Sequence, residues 1–320
     1  MRGLPNFGNT CYINSILQII FNTAGVVLLA KDSEIARLYT GYHSEGDWSP
    51  DLLVKFIRTS NVFSGMQGDQ HEFLMELMTI IHEDQCEKMS FNLVPYEPLL
   101  TALDTAALQS FQLNGLTGKG ENLKNCDYGY MSPIVSAFTG QVKAETVCPC
   151  GGISNRFDTF RAVELSLPST GSAPSTPSAS STLEECIKAF NTPEIIAGYT
   201  CDACQNATNA VHSVAFWRLP PIMIFTLKRT GNTGAKNNAV IQAPDILDLR
   251  PYVLRSSKCS PTYRLYAVAH HSGWANYGHC FSSVRKNDIW YTINDGNIGL
   301  LPERQNSPTD YMYFYERVPQ

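Results

Sequence analysis

Cys11 follows Gly8-Asn9-Thr10 and opens a stretch in which Ile13, Ile16, Leu17 and Ile20 recur at i, i+3, i+4 and i+7, the spacing of an amphipathic helix. A thiol there stands at a helix N-terminus. Unpaired backbone N–H groups and the helix dipole favour an anion at that place, so the thiol ionises more readily, and the thiolate is the nucleophile. Asn9 or Thr10 is expected to cap the helix, while the glycine allows a sharp turn and close approach of a substrate backbone. Far downstream, His279 follows Gly278 and precedes the strand-like run Cys280 to Val284; Asn294 and Asp295 follow the strand-like run Ile289 to Ile293. An early cysteine, a distant histidine and then an asparagine or aspartate is the chain order of a Cys-His-Asn arrangement. In it the histidine takes the thiol proton and the third residue fixes the tautomer. Each piece has a plainer reading by itself: a small buried hydrophobe, a core or surface histidine, and an Asn-Asp-Gly turn.

A second chemistry is offered by two close pairs, Cys148-Pro-Cys150 and Cys201-Asp-Ala-Cys204. The segment between them begins and ends in strand-like runs, which predicts both pairs at the tip of a hairpin. Four thiolates so placed suit a closed tetrahedral zinc site. Ten cysteines in 320 residues are too sparse for a disulfide scaffold.

The elements that must position these groups divide the chain in two. Phe73, Leu74, Leu77, Met78 and Ile81 repeat the helical stripe of Ile13 to Ile20, so the first hundred residues read as α-rich. From about Ile134 the period shifts towards two, as in Val163, Leu165, Leu167 and the run Arg264 to Ala269, which predicts a β-rich second half. The stretch 168–182, PSTGSAPSTPSASST, has no large apolar side chain to bury and reads as a mobile loop, and 231–238 as a second flexible one. A net charge of −5 provides no electrostatic footprint for nucleic acid. Asn14, Ser15 and Gln18 interrupt the apolar run from Ile13 to Phe21, so neither a membrane span nor a signal peptide is expected. The chain reads as soluble and intracellular.

Three segments taken together resemble the ubiquitin-specific protease family. Gly3 to Gln18, GLPNFGNTCYINSILQ, is similar to its Cys box at every fixed position. Tyr263 to Asp295 is similar to its His box, and Gln67 to Leu74 to its Q-Q-D-A-x-E-F-L box. Leu165 to Pro168, Leu219 to Arg229 and Tyr311 to Arg317 extend the likeness across almost the whole chain.

The resemblance implies an α+β, papain-like hand formed by a single catalytic domain. It would have a helical thumb over about 1–110, β fingers over about 134–217 including the loop 168–182, and a β-rich palm over about 218–320. It implies Cys11 as nucleophile, His279 as general base, Asn294 as third member with Asp295 as runner-up, and Asn6 as a donor to the oxyanion. Such a donor contributes ~3 kcal/mol of transition-state stabilisation. Asp69 and Glu72 match acidic contacts to ubiquitin's basic tail. His271, Gly273 and Gly278 match the loop before the catalytic histidine, with Trp274 and Tyr277 as a roof over the tail channel. Cys148, Cys150, Cys201 and Cys204 match a structural zinc site whose first pair is here one residue short, a departure that Gly151 and Gly152 would relieve. No organic cofactor is implied. The expected partners are ubiquitin and ubiquitinated proteins, with neither nucleic acid nor membrane. The expected state is a monomer of the cytoplasm or nucleus, or of the host cytoplasm for a pathogen's enzyme, without an accessory domain. A ubiquitin-binding pseudoenzyme and a protease for another ubiquitin-like modifier are the alternatives.

Overall fold

The computed structural model describes residues 1–26, 28, 33–46, 48–90, 106, 128–167, 181–231, 234–254, 260–274 and 277–319. Helix α1, Cys11–Phe21, is buried along its entire length. A helix without a solvent face belongs inside the molecule, and α1 packs on helix α4, Gln70–Gln85, and on strands of the main sheet. Helices α2, Glu34–His43, and α3, Asp51–Thr59, pack on each other beside it. The helical run closes at Gln85, and strand β1, Glu87–Ser90, pairs antiparallel with β2, Tyr128–Met131. Helix α5, Pro133–Phe138, then packs on α4; Ser132 caps it by accepting from Val135 N–H.

The second half is organised as two principal sheets. The larger comprises β5 (Val163–Ser166), β9 (Ile222–Lys228), β11 (Ile246–Asp248), β12 (Thr262–Trp274), β13 (Tyr277–Lys286), β14 (Ile289–Asn294), β15 (Asn297–Leu301) and β16 (Asp310–Arg317). Its order is β15-β14-β13-β12-β16-β9-β5, with β11 on β12. Side chains alternate between the two faces of a strand, and here both faces are covered. On β9, Ile222 and Ile224 join the core under the helices, whereas Met223, Phe225 and Leu227 join a second core on the opposite face. On β16, Met312 and Phe314 face the first core and Tyr313 and Tyr315 the second. The apolar run of Ile222 to Phe225, resumed at Leu227, follows from this double burial.

The other sheet comprises β3 (Gly140–Val147), β4 (Ile153–Phe160), β7 (Glu194–Thr200) and β8 (Ala207–Arg218), in the order β4-β3-β8-β7. The two cysteine pairs therefore occupy the turns of two hairpins, β3-β4 and β7-β8, and not the tip of one. Pairing of β3 with β8 sets the hairpins side by side.

The expected loop 168–182 also ends earlier than its composition suggests. Ser181–Thr182 forms strand β6, parallel to β10, Ile241–Gln242. Thr182 caps helix α6, Leu183–Asn191, through a reciprocal capping box with Glu185. The remainder of that loop, 168–180, and positions 232–233 of the second loop lie outside the described residues. Among the described residues, no helix is long and apolar enough to cross a membrane.

Candidate active site

Thr10 is the N-cap residue of α1, yet neither it nor Asn9 makes the expected side-chain cap. The Thr10 hydroxyl accepts from Phe7 N–H at 3.0 Å and donates to Asn6 Oδ1 at 3.2 Å. Asn9, at φ +57°, directs its amide to Gly65 O. Both side chains are taken up by the loop before the helix. The first turn of α1 consequently keeps its N–H groups free of a side-chain acceptor, the condition that favours an anion at Cys11.

Asn6 organises that loop. Its Oδ1 accepts from the N–H groups of Gly8 and Thr10, and its Nδ2 donates to Asp295 Oδ2 at 3.0 Å. Asp295 Oδ1 accepts from Asn14 Nδ2 at 2.8 Å, and its backbone carbonyl accepts from Leu4 N–H. Gly3 completes the seam, since a Cβ on it would lie 2.1 Å from Gly296 O. The N-terminal segment is thus joined to the turn after β14.

His279 stands near the start of β13, antiparallel to β14, which ends at Asn294. Its Nε2 lies 2.7 Å from Asn294 Oδ1. An amide oxygen only accepts, so Nε2 carries the hydrogen and Nδ1 remains to take a proton. The ring lies nearly parallel to Phe281, which stacks in turn on His270. Burial depresses the basicity of His279. The Asn294 hydrogen bond, the negative Cys11 and Asp295, and a hydrogen bond to Cys11 outweigh it, and the net shift is upward.

Cys11 moves in the opposite direction, down to about 6. Donation from the Cys280 thiol is the largest cause; burial opposes it, and the Cys280 backbone N–H and the charge of His279 assist. A lowered thiol beside a raised imidazole is the signature of a thiolate-imidazolium pair.

A cleft of about 290 Å³ begins beside Cys280 and is lined by Gln67, Asp69, Lys236, His271, Tyr277 and Tyr311 among others. The Gln67 side chain holds Gly278 twice, donating to its carbonyl at 2.7 Å and accepting from its N–H at 3.0 Å. A Cβ on Gly278 would sit 2.3 Å from Ser272 O and 2.5 Å from His271 Nε2, so only glycine fits.

Asp69 faces the cleft, but its carboxylate is already engaged. Oδ1 caps α4 by accepting from the N–H groups of His71 and Glu72, and Oδ2 accepts from the Tyr311 hydroxyl at 2.8 Å. Glu72 is exposed in the first turn of α4 and does not line the cleft. Lys236 was legible in the sequence only as part of a Gly/Asn-rich loop. It spans the cleft rim, with Nζ donating to the carbonyls of His271 at 2.7 Å and Gly273 at 3.2 Å and lying 3.0 Å from His271 Nδ1. Burial and this lysine hold His271 below the ordinary histidine range. Trp274 and Tyr277 are paired across the end of the β12-β13 hairpin and remain 80% and 73% exposed, Tyr277 lining the cleft.

The four cysteines of the hairpin turns converge, all four sulfurs within 4.8 Å of one another. Cys148 and Cys204 are 4.0 Å apart, Cys150 and Cys201 3.7 Å. Four sulfurs about 2.3 Å from a tetrahedral zinc would be separated by about 3.8 Å, so the cluster fits that ion. The short first pair closes because Gly151 adopts φ +90°, allowing Cys148 N–H to reach Gly152 O. The residues can hold a metal ion.

An α+β fold in which a helix-borne thiol meets a strand-borne histidine tied to an amide is the architecture of papain-like thiol peptidases. Within that class, the chain belongs to the ubiquitin carboxyl-terminal hydrolase family, whose model matches residues 2–315. It is 25% identical over 370 residues to ubiquitin carboxyl-terminal hydrolase 51 of Mus musculus, covering 99% of this chain and 51% of that protein. To ubiquitin carboxyl-terminal hydrolase 25 of Arabidopsis thaliana it is 26% identical over 330 residues, covering 99% and 47%. The chain spans about half the length of these relatives. In fold it is similar to the SAGA Ubp8/Sgf11/Sus1/Sgf73 DUB module bound to ubiquitin aldehyde, with a TM-score of 0.73 and 19% identity over 100% of this chain and 70% of that one.

Proposed function

We propose that this chain is a deubiquitinating cysteine protease that cleaves the isopeptide or peptide bond after the C-terminal glycine of ubiquitin. The observation that carries this reading is His279, whose Nε2 lies 2.7 Å from Asn294 Oδ1, next in the chain to Cys280, which lines the cleft; the opposite shifts of Cys11 and His279, each caused in part by the other's charge, agree with it. The Cys11 thiolate attacks the glycine carbonyl, and the His279 imidazolium protonates the departing lysine amine. Water, deprotonated by the same imidazole, then hydrolyses the thioester. Asn294 keeps the proton on Nε2 throughout. Asn6 would place a side-chain N–H near the developing oxyanion, with Asp295 orienting its amide. Cys148, Cys150, Cys201 and Cys204 would hold a zinc that organises the strand-built end and takes no part in bond cleavage.

Incubation with ubiquitin bearing a C-terminal electrophile, followed by intact mass and peptide mapping, tests the reading. One adduct at Cys11 supports it, and an adduct at another cysteine, or none, overturns it.

The pH profile follows from the two titrations. Below about pH 6 the Cys11 thiol is protonated and turnover falls. Above the raised pKa of His279 the imidazolium is lost, and with it the acid for the leaving group. Measured kcat/KM on a fluorogenic ubiquitin substrate should therefore form a bell whose acid limb lies near 6. An acid limb near the ordinary thiol value of about 8.5 would refute the ion pair.

Zinc removal makes a separate prediction. Chelation, or Cys204→Ser, should lower the melting temperature and weaken ubiquitin binding, while slow cleavage of a minimal ubiquitin-tail peptide persists. Metal analysis well below one zinc per chain in protein purified without chelator, together with normal activity, would contradict it.

A further inference from the structure

Gln67, Gly68 and Gln70 lie just ahead of α4 and at its first residue, yet they touch both elements that carry the chemistry. On the strand side, the Gln67 amide gives both of its hydrogen bonds to Gly278, the residue before His279. Strand β14 pairs with β13 only from Ser282 to Lys286. Ahead of that, the amide supplies Gly278 with the donor and the acceptor that a paired strand residue would give. Gly278 has no room to give way on its other side, where a Cβ would meet Ser272 O and the His271 ring.

On the helix side, a Cβ on Gly68 would lie 2.7 Å from the ring of Tyr12, the residue after Cys11. That ring is itself fixed: its hydroxyl donates to Val62 O at 3.1 Å, and its plane stands perpendicular to Phe73 of α4. Gln70 Nε2 donates at 2.7 Å to the hydroxyl of Ser15, one turn beyond Cys11 on α1, and Ser15 donates in turn to Tyr12 O. Four consecutive residues therefore bear on the helix that begins at Cys11 and hold the strand of His279.

We propose that Gln67 is a positioning residue for the reaction: by clamping Gly278 while Gly68 and Gln70 bear on α1, it fixes the separation between the Cys11 sulfur and the His279 ring. This inference rests on the reading of those two residues as nucleophile and base. Helix α1 and strand β13 meet inside one apolar core, and apolar burial is non-directional. Two short hydrogen bonds from one amide fix both distance and direction. Asn14 ties α1 to Asp295 on the Asn294 side of the site, and Gln67 supplies the tie at the residue before His279. Misplacement by about 1 Å costs about 10²-fold in rate. The lowered thiol and the raised imidazole, each owed in part to the other's charge, depend on the same separation.

The test compares the full chain in wild-type and Gln67→Met forms; methionine has a similar reach and makes neither hydrogen bond. On a fluorogenic ubiquitin substrate, kcat is expected to fall about 10- to 100-fold, with KM changed less than about threefold. Carbamidomethylation of Cys11 by iodoacetamide, mapped by mass with no ubiquitin present, is then followed against pH. The wild-type rate should be half-maximal near pH 6. In Gln67→Met the midpoint should rise by at least about half a unit, a roughly threefold loss in the ratio of thiolate to thiol, because the imidazolium leaves its place while Cys280 and Asp295, which also act on the thiol, stay. An unmoved midpoint overturns the proposal whatever the melting temperature does. A raised KM with unchanged kcat overturns it too, since Gln67 would then meet the substrate's tail. Gly68→Ala, which drives a methyl group into the Tyr12 ring, should move the midpoint the same way and decides the matter if Gln67→Met does not fold. Electrophilic ubiquitin attached elsewhere than Cys11 in the wild type would defeat the functional reading itself, whereas a normal wild-type adduct with unmoved midpoints in both variants defeats only this inference.

Discussion

Cys11→Ala is expected to leave no measurable turnover and no adduct with electrophilic ubiquitin, while the folded state and ubiquitin binding survive. The chemistry requires a sulfur anion at this position, and alanine supplies no nucleophile. The residue is 4% exposed at the start of a helix that is buried throughout, so removing one sulfur leaves a small void. Its cost should be about 1 kcal/mol, a modest drop in melting temperature. Alanine also suits a first helical turn. The measurement is kcat/KM on a fluorogenic ubiquitin substrate with thermal melts and ubiquitin titration alongside. Residual turnover above about one part in a thousand of wild type would mean that another group attacks.

His279→Ala should be the second-largest loss, about 10³- to 10⁴-fold in kcat/KM. The imidazole performs two tasks in the proposed reaction, taking the thiol proton and returning one to the leaving amine, and alanine performs neither. Labelling by electrophilic ubiquitin should slow much less. That reaction needs the thiolate but no protonated leaving amine, and the Cys280 thiol and backbone N–H still favour the thiolate. A variant that labels and turns over at the same reduced fraction would show that His279 acts only on thiol ionisation. Asn294→Ala should lose less than His279→Ala, because the ring keeps its place against Phe281 while losing the acceptor that fixes its tautomer.

Several features were legible from residue order alone. The i, i+3, i+4, i+7 spacing after Cys11 specified a helix beginning there. The period of two in the second half specified strands, and the order Cys, His, Asn picked out a histidine and an asparagine that the fold joins by a hydrogen bond. Patterns of this kind are local, since a helix or strand imposes its repeat on whatever sequence forms it.

The expected cap of α1 was not available from the same information. Asn9 and Thr10 have good capping side chains, but Thr10 is taken up by Phe7 and Asn6 within its own loop, and Asn9 by Gly65, which only the folded chain brings near. Asp69 posed the reverse problem: an acid expected to meet a basic tail is also a helix cap and the acceptor for Tyr311, a residue 242 positions away. Asn294 and Asp295 are neighbours in sequence and equally able to hold a histidine. The end of β14 falls between them, Asn294 remaining in the strand and reaching His279 while Asp295 turns at φ +50° to receive Asn6 and Asn14.

Residue order along the chain therefore determined which elements form and which side chains are candidates for the chemistry. The tertiary structure alone decided which donor each acceptor receives, because that depends on strand register and on loops distant in sequence. The pairing of β3 with β8 brings Cys148 and Cys150 to Cys201 and Cys204 despite the short first spacing. Packing of α1 on β13 brings the helix that begins at Cys11 onto the strand that carries His279. No local repeat encodes either meeting, since each joins segments whose separation is spanned only when the sheets have formed.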